Sequence, residues 1–273
     1  MIGIAAGGVV YFWLSKRRSE RPLPTLLEYW VYLPKAELPQ QDLVMARAMR
    51  EGPYSAILGT QEGLVFSDIR LHVALVLRDR NPHVFRPDLF DSSIIPTPDA
   101  LDGLSRSAAL AKVRFVSEDP VANRAYLRLL PHLVLALLDL AEGLVVFDLM
   151  QESLYSVHDF RAQIQSDPKA DSAASHVRAL WRDVDDHGEI ESRGLAKIGR
   201  HDFRTEPISR DQKTLTLQVM DEYLAAAWQG EFSEVEVFGD RFRIELGEVK
   251  AGKAKARILR LQTADRRSQD LLQ

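Results

Sequence analysis

The chain has 273 residues, of which 46% are hydrophobic and 27% are charged. This balance is typical of a folded protein and excludes a largely disordered chain. The formal net charge is only −4, so no global electrostatic field favours nucleic acid or an acidic partner. The sequence contains no cysteine, which excludes disulfides, thiolate catalysis and cysteine-based metal centres.

The N-terminus carries an apolar run, Ile2 to Leu14, with basic residues directly after it. This order predicts a short membrane anchor over residues 1–15 and a basic tether over residues 16–24, although a spanning helix usually needs about 20 apolar residues. Positive charges after the helix place the rest of the chain in the cytoplasm. A buried N-terminal helix and a signal-like segment remain as alternatives. The predicted interface residues are Tyr11, Trp13, Lys16, Arg17 and Arg18.

The next part, residues 25–165, is predicted to form an α+β domain with mixed or antiparallel sheets. Its pattern alternates aromatic or β-branched runs with helical periods, and Pro131 is expected to kink or divide the long apolar helix. The predicted strands are Thr25–Leu33, Tyr54–Leu58, Leu64–Phe66, Ile69–Leu77, Ala111–Ser117 and Leu144–Phe147. The predicted helices are Leu38–Arg50, Asp99–Ser107 and Pro120–Glu142.

A polar stretch, Gln165–Ser175, predicts the boundary of a smaller α+β domain over residues 176–264. In that domain the pattern indicates helices at His176–Asp185 and Asp211–Gln229, and a strand-like segment at Ile190–Ile198. The C-terminal part is predicted to be rich in strands, with a two-residue turn at Gly239-Asp240. Its expected strands are Glu234–Phe238, Arg241–Leu246 and Ala256–Leu261.

The segment Ile95–Tyr155 has a proline-led helix, a strand, a long apolar helix and a glycine-led strand, in that order. This order resembles a class of uncharacterised bacterial α+β domains, and Gly194–Phe203 resembles a strand that recurs in them. The resemblance covers about a quarter of the chain and implies a fold type without any catalytic residue. Some proteins of that kind are suspected immunity factors against bacterial toxins, an association that comes from the resemblance alone.

The acidic segment that begins at Asp183 has the spacing of the first part of an EF-hand calcium loop. Asp183 and Asp185 occupy oxygen-ligand positions, and Gly188 occupies the position of the sharp turn. However, His187 replaces an Asp or Asn, and Gly194 stands where a bidentate Glu is required. These departures favour an acidic turn after a helix, and we predict no metal or other cofactor.

Four dispersed residues are candidates for acid–base chemistry. His132 lies on the apolar helix with Asp139 two turns later, and Asp148 follows a predicted buried strand. His158 and His201 begin two copies of the tetrapeptide His-Asp-Phe-Arg, the first of which is better interpreted as a helix start. A pocket that gathers at least two of these four would indicate a hydrolase or a metal-dependent enzyme.

Basic residues near the C-terminus form the remaining candidate surface, and they could contact anionic lipid or simply protect an exposed strand edge. They lack interleaved aromatic residues, so nucleic acid is not expected as a partner. The residues are Lys250, Lys253, Lys255 and Arg257.

Taken together, the sequence favours a non-catalytic binding module that is tethered to the membrane, faces the cytoplasm and has a protein partner. A dispersed-residue enzyme and an anionic-lipid sensor remain as alternatives.

Overall fold

The computed structural model describes residues 23–51, 70–87, 96–119, 121, 124–230, 234–250 and 252–261. The predicted anchor, most of the tether and the predicted strands Tyr54–Leu58 and Leu64–Phe66 therefore lie outside the described residues. None of the helices within these ranges has the length and apolar character needed to cross a bilayer.

The first half of the chain forms a five-stranded sheet, here called the first sheet, with the strand order β2-β3-β1-β4-β5. All of its neighbouring strands are antiparallel. The central strand is rich in aromatic and aliphatic residues because it is buried on both faces. The strands are β1 (Thr25–Leu33), β2 (Leu71–Leu77), β3 (Ala109–Ser117), β4 (Val145–Asp148) and β5 (Ser153–Ser156).

Helices cover both faces of the first sheet. On one face α1 (Gln41–Glu51) and α3 (Ala125–Leu140) join the main hydrophobic core, and on the other α2 (Pro98–Arg106) packs over a smaller apolar cluster. Pro131 lies inside α3 but does not divide it. The predicted start of a helix at His158-Asp159 is confirmed by α4 (Val157–Ser166).

The second half forms the second sheet, with the strand order β10-β11-β12-β8-β7-β6 and with β9 paired to β7. Only the pairing of β8 with β12 is parallel, so the predicted α+β class with mixed sheets is confirmed. One helix, α6 (Lys213–Gln229), packs on its inner face, and a short helix, α5 (Ala173–His176), precedes it. The strands are β6 (Arg178–Val184), β7 (His187–Arg193), β8 (Asp202–Thr205), β9 (Ile208–Ser209), β10 (Glu234–Val237), β11 (Asp240–Lys250) and β12 (Lys253–Leu261).

The two sheets share one continuous hydrophobic core. Buried residues of β1 and α3 belong to the same cluster as buried residues of β8, α6 and β11. The polar stretch that was predicted as a domain boundary lies between the last strand of the first sheet and the first strand of the second.

The predicted helix His176–Asp185 is wrong, because most of this segment is strand β6. Its Trp181 lies across the hairpin from Gly188, where a Cβ atom would be only 1.9 Å from the indole ring. The glycine makes room for the aromatic ring, and this cross-strand packing overrides the local helical pattern.

Two further boundaries differ from the predictions. The strand predicted at Ile190–Ile198 ends at Arg193, because Gly194 adopts φ +105° and turns the chain into a 3₁₀ turn, Leu195–Ile198. The predicted turn at Gly239-Asp240 is one residue too late, since Phe238 and Gly239 have φ values of 53° and 82°. Two positive φ values in succession are typical of a two-residue hairpin turn.

Candidate functional site

A buried ion pair joins the first sheet to the 3₁₀ turn of the second half. The Lys197 Nζ atom lies 2.5 Å from Asp148 Oδ2, and both side chains are almost completely excluded from solvent. Asp148 ends β4, and its Oδ1 atom accepts hydrogen bonds of 3.0 Å from the backbone N–H groups of Met150 and Gln151. The positive φ of Gly194 starts the turn that brings Lys197 to this position.

His176 completes the contacts of the Lys197 ammonium. Its Nε2 atom lies 2.6 Å from the Ala170 carbonyl oxygen, so Nε2 carries the proton and Nδ1 is left as an acceptor, 3.5 Å from Lys197 Nζ. The imidazole stacks on Trp228 with ring centroids 5.1 Å apart. Burial, together with the Lys197 charge, lowers the pKa of His176 to about 3. The ring is therefore neutral at physiological pH.

Polar side chains enclose the same ion pair. Burial, with the charge of Asp148, raises the pKa of Tyr29 well above its usual value, and burial lowers the pKa of Lys197. The Gln151 amide is best oriented with its nitrogen 3.1 Å from Asp148 Oδ2 and 3.0 Å from the Tyr155 hydroxyl. The ion pair and the polar side chains around it supply hydrogen-bonding partners to one another inside the core. This arrangement holds the two sheets together.

A second charge cluster surrounds Glu191, a fully buried residue on β7. Its carboxylate pairs with Arg193 at 2.8 Å, Lys253 at 2.9 Å and Arg182 at 3.0 Å, and also with Arg204. Burial acts to raise the pKa of Glu191, but the Lys253 hydrogen bond and the neighbouring cations lower it below its usual value. The cluster links β6, β7, β8 and β12 on one face of the second sheet.

His132 and Asp139, which the sequence places on roughly the same face of the apolar helix, contact different partners. His132 is buried in α3, and its Nε2 atom lies 3.0 Å from the Pro168 carbonyl oxygen. Asp139 instead pairs with Arg47, at 2.7 Å, and with Arg161.

The other candidates for acid–base chemistry lie in separate places. His158 is exposed in the first turn of α4, while His201 precedes β8 and its Nδ1 atom is 3.2 Å from the Gly252 carbonyl oxygen. Between the residues that the structure describes, no hydrogen bond or ion pair joins two of His132, Asp148, His158 and His201. Within the same ranges, no group of three His, Asp or Glu residues is arranged to hold a metal ion.

The predicted EF-hand-like loop is instead the hairpin between β6 and β7. Asp183 pairs with Gly188 and Val184 pairs with His187 across the two strands, which leaves Asp185 in the turn with φ 46°. The acidic turn was predicted correctly, but it follows a strand and not a helix. A hairpin holds these side chains apart, whereas a calcium loop wraps its ligands around one point.

The predicted basic surface lies along the hairpin of β11 and β12. The side chains of Lys250, Lys255 and Arg257 are 81%, 65% and 63% exposed, whereas Lys253 is mostly buried against Glu191. Lys255 and Arg257 share one carboxylate, that of Glu206, at 3.0 and 3.7 Å. Lys250 also pairs with Glu248 at 3.5 Å, and Arg257 lies opposite Glu245 in the β11–β12 ladder, so carboxylates accompany each of these exposed cations.

The far end of the same hairpin, residues 246–253 and here called the hairpin end, also exposes two aliphatic side chains. Leu246 is 48% exposed and Val249 is 42% exposed. Leu23, the first described residue, lies nearby. Its carbonyl oxygen is 3.0 Å from the point where a Cβ atom on Gly199 would lie. Two residues further on, His201 contacts Gly252 in the hairpin end.

The second sheet is split beside β12. The ladder between β8 and β12 covers Lys253–Ala256, after which β9 diverges to pair with β7. The split, here called the groove, encloses about 320 Å³ and has α6 as its floor. Its lining includes Ile208, Leu215, Thr216, Val219, Phe242 and residues 257–260 of β12.

Sequence reasoning missed Lys197, which pairs with Asp148, and His176, which contacts Lys197. Lys197 lies between two apolar residues and before Gly199, in a segment that was interpreted as a strand, and His176 was placed in a helix. The only available signal was a lysine inside an otherwise apolar run, and this signal does not identify a partner 49 residues away.

Searches against protein-family models, curated proteins and solved structures gave no match to the chain. The resemblance to uncharacterised bacterial α+β domains accordingly stays a prediction.

Proposed function

We propose that the protein is a membrane-tethered binding module whose folded part faces the cytoplasm, with the hairpin end directed towards an anionic bilayer surface. The observation that carries this proposal is the position of Leu23 beside Gly199, close to the hairpin end. If residues 1–15 insert in the bilayer, the eight residues up to Leu23 span at most about 28 Å. The folded part is then held close to the membrane, with the Leu23 side towards it.

The hairpin end has suitable chemistry for such a surface. Lys250 in the hairpin end and Lys255, two residues beyond it, are exposed, and each also pairs with a glutamate. A lysine near an anionic leaflet contributes about 1 kcal/mol to binding. Leu246 and Val249 add apolar area at the same place, while Glu248 opposes the attraction. A contact of this size is weak alone but adds to an existing anchor.

A labelling experiment tests this orientation. The chain contains no cysteine, so Lys250→Cys can be labelled with an environment-sensitive dye in the full-length protein, reconstituted in nanodiscs of anionic lipid. We expect brominated lipids to quench this dye several-fold more strongly than one placed at Phe238→Cys. Phe238 is 79% exposed in the turn before the opposite end of β11, and the 11 residues of that strand span roughly 33 Å. Equal quenching at both positions would refute the proposed orientation.

A further inference from the structure

We propose that the groove beside β12 accepts an extended strand of a partner protein in which apolar and acidic residues alternate. This inference rests on the proposed function, because it specifies what the binding module binds. It depends on the second sheet alone and not on the membrane contact.

The backbone of β12 offers hydrogen-bonding groups to the groove that no described strand uses. The Glu206 N–H donates to the Ala256 carbonyl oxygen at 3.0 Å, so the backbone groups of Ala256 face β8. Because backbone direction alternates along a strand, the N–H and C=O groups of Ile258 and Arg260 face the same side. The register of β11 agrees with this direction. The two-residue turn at Phe238–Gly239 makes the backbone groups of Asp240, and of every second residue after it, face β10, so the groups of Ile258, opposite Ile244, face away from β11. Among the described strands, none pairs with this stretch of β12 on that side.

The opposite wall of the groove explains why the sheet stays open there. Pro207 follows the last residues of the β8 ladder and has no N–H group to donate. The chain then continues into β9, where Ile208 and Ser209 pair with β7. An added strand would therefore extend an existing edge of β12 without displacing a ladder.

The side chains around the groove define the pattern of the incoming strand. Residues on one side of that strand would face the apolar floor formed by Leu215, Val219 and Phe242. Residues on the other side would face Arg257, which shares the Glu206 carboxylate with Lys255. Apolar residues suit the floor, and acidic residues suit a groove lining that holds Arg257 and Arg260 against the one carboxylate of Glu206. Main-chain pairing with alternate side-chain pockets is the usual way in which an edge strand binds an extended peptide.

Binding can be measured with the full-length protein in detergent, which makes the result independent of any membrane contact. The probes are fluorescent peptides of about ten residues that alternate Glu with Val, Ile or Leu, compared with block-ordered peptides of the same composition. We expect the alternating peptides to bind and to protect the Ile258 and Arg260 amides from hydrogen exchange. Arg257→Glu should weaken binding about tenfold, which corresponds to about 1.4 kcal/mol.

The matched control is Arg243→Glu, which reverses a half-exposed charge on the neighbouring strand away from the groove. It should change the affinity less than twofold. The proposal is overturned if no alternating peptide binds better than its block-ordered partner, or if both charge reversals weaken binding equally. It is also overturned if self-association protects the Ile258 and Arg260 amides in the absence of peptide. The same holds if lipid vesicles protect these amides and the peptides do not.

Discussion

Replacing Lys197 by Met is expected to lower the free energy of unfolding by about 3–5 kcal/mol. The reason is that the variant leaves the Asp148 carboxyl in an almost completely buried position without its cationic partner. Truncating one member of a buried pair is far more costly than the net contribution of the intact pair. Urea denaturation at neutral pH measures this effect, and fluorescence of Trp228, which stacks on the neighbouring His176, is a local probe.

Two variants separate this effect from a general loss of packing. Lys255→Met removes an exposed lysine that pairs with Glu206, and it should cost less than about 1 kcal/mol. The double variant Lys197→Met with Asp148→Asn removes both charges and should recover a substantial part of the loss. If Lys197→Met costs no more than Lys255→Met, the buried pair does not hold the two sheets together.

Stability is expected to fall as the pH decreases below about 6.5, and His176 should account for a defined part of the fall. The pKa of His176 is lowered to about 3 in the folded protein, whereas its ordinary value is 6.5. As the pH falls, His176 is therefore protonated in the unfolded chain before it is protonated in the folded protein. Between pH 6.5 and pH 3 the free energy of unfolding falls by about 1.4 kcal/mol for each pH unit. Above pH 6.5 both states are deprotonated at this residue, so its contribution to the pH dependence disappears.

The measurement compares the free energy of unfolding of the wild type and His176→Phe between pH 7 and pH 5. Phenylalanine keeps an aromatic ring against Trp228 but cannot take up a proton, so the variant should have a shallower slope by about one proton. His158→Phe, at an exposed position, is the control for replacing a histidine by phenylalanine. Identical slopes for the wild type and His176→Phe would contradict the assignment of a neutral buried imidazole.

Local pattern was sufficient for most elements of the first sheet and for α6. Strand β1 has dense aromatic and aliphatic residues, and α2 begins with Thr97 and Pro98, which cap and start a helix. In these places the local preference and the tertiary environment agree. The α+β class followed from the same alternation of strand and helix patterns.

Predictions from the sequence were wrong or incomplete where a contact between distant residues decides the structure. Strand β6 was predicted as a helix because the packing of Trp181 on Gly188 is visible only once the hairpin has formed. The Lys197–Asp148 pair and the groove depend on the register of strands far apart in the chain. Periodicity indicates which face of a strand is buried, but a single sequence does not identify the distant strand that lies beside it.

Membrane fractionation of the full-length protein tests the central claim of a tethered module most directly. If the protein is tethered, we expect the wild type to stay in the membrane fraction through salt and alkaline washes and Val9→Asp to move to the soluble fraction. A charged residue in the middle of a short apolar run should prevent insertion, because it costs about 2.5–3.5 kcal/mol there. Recovery of the wild type in the soluble fraction, or equal membrane retention of both proteins, would contradict the account.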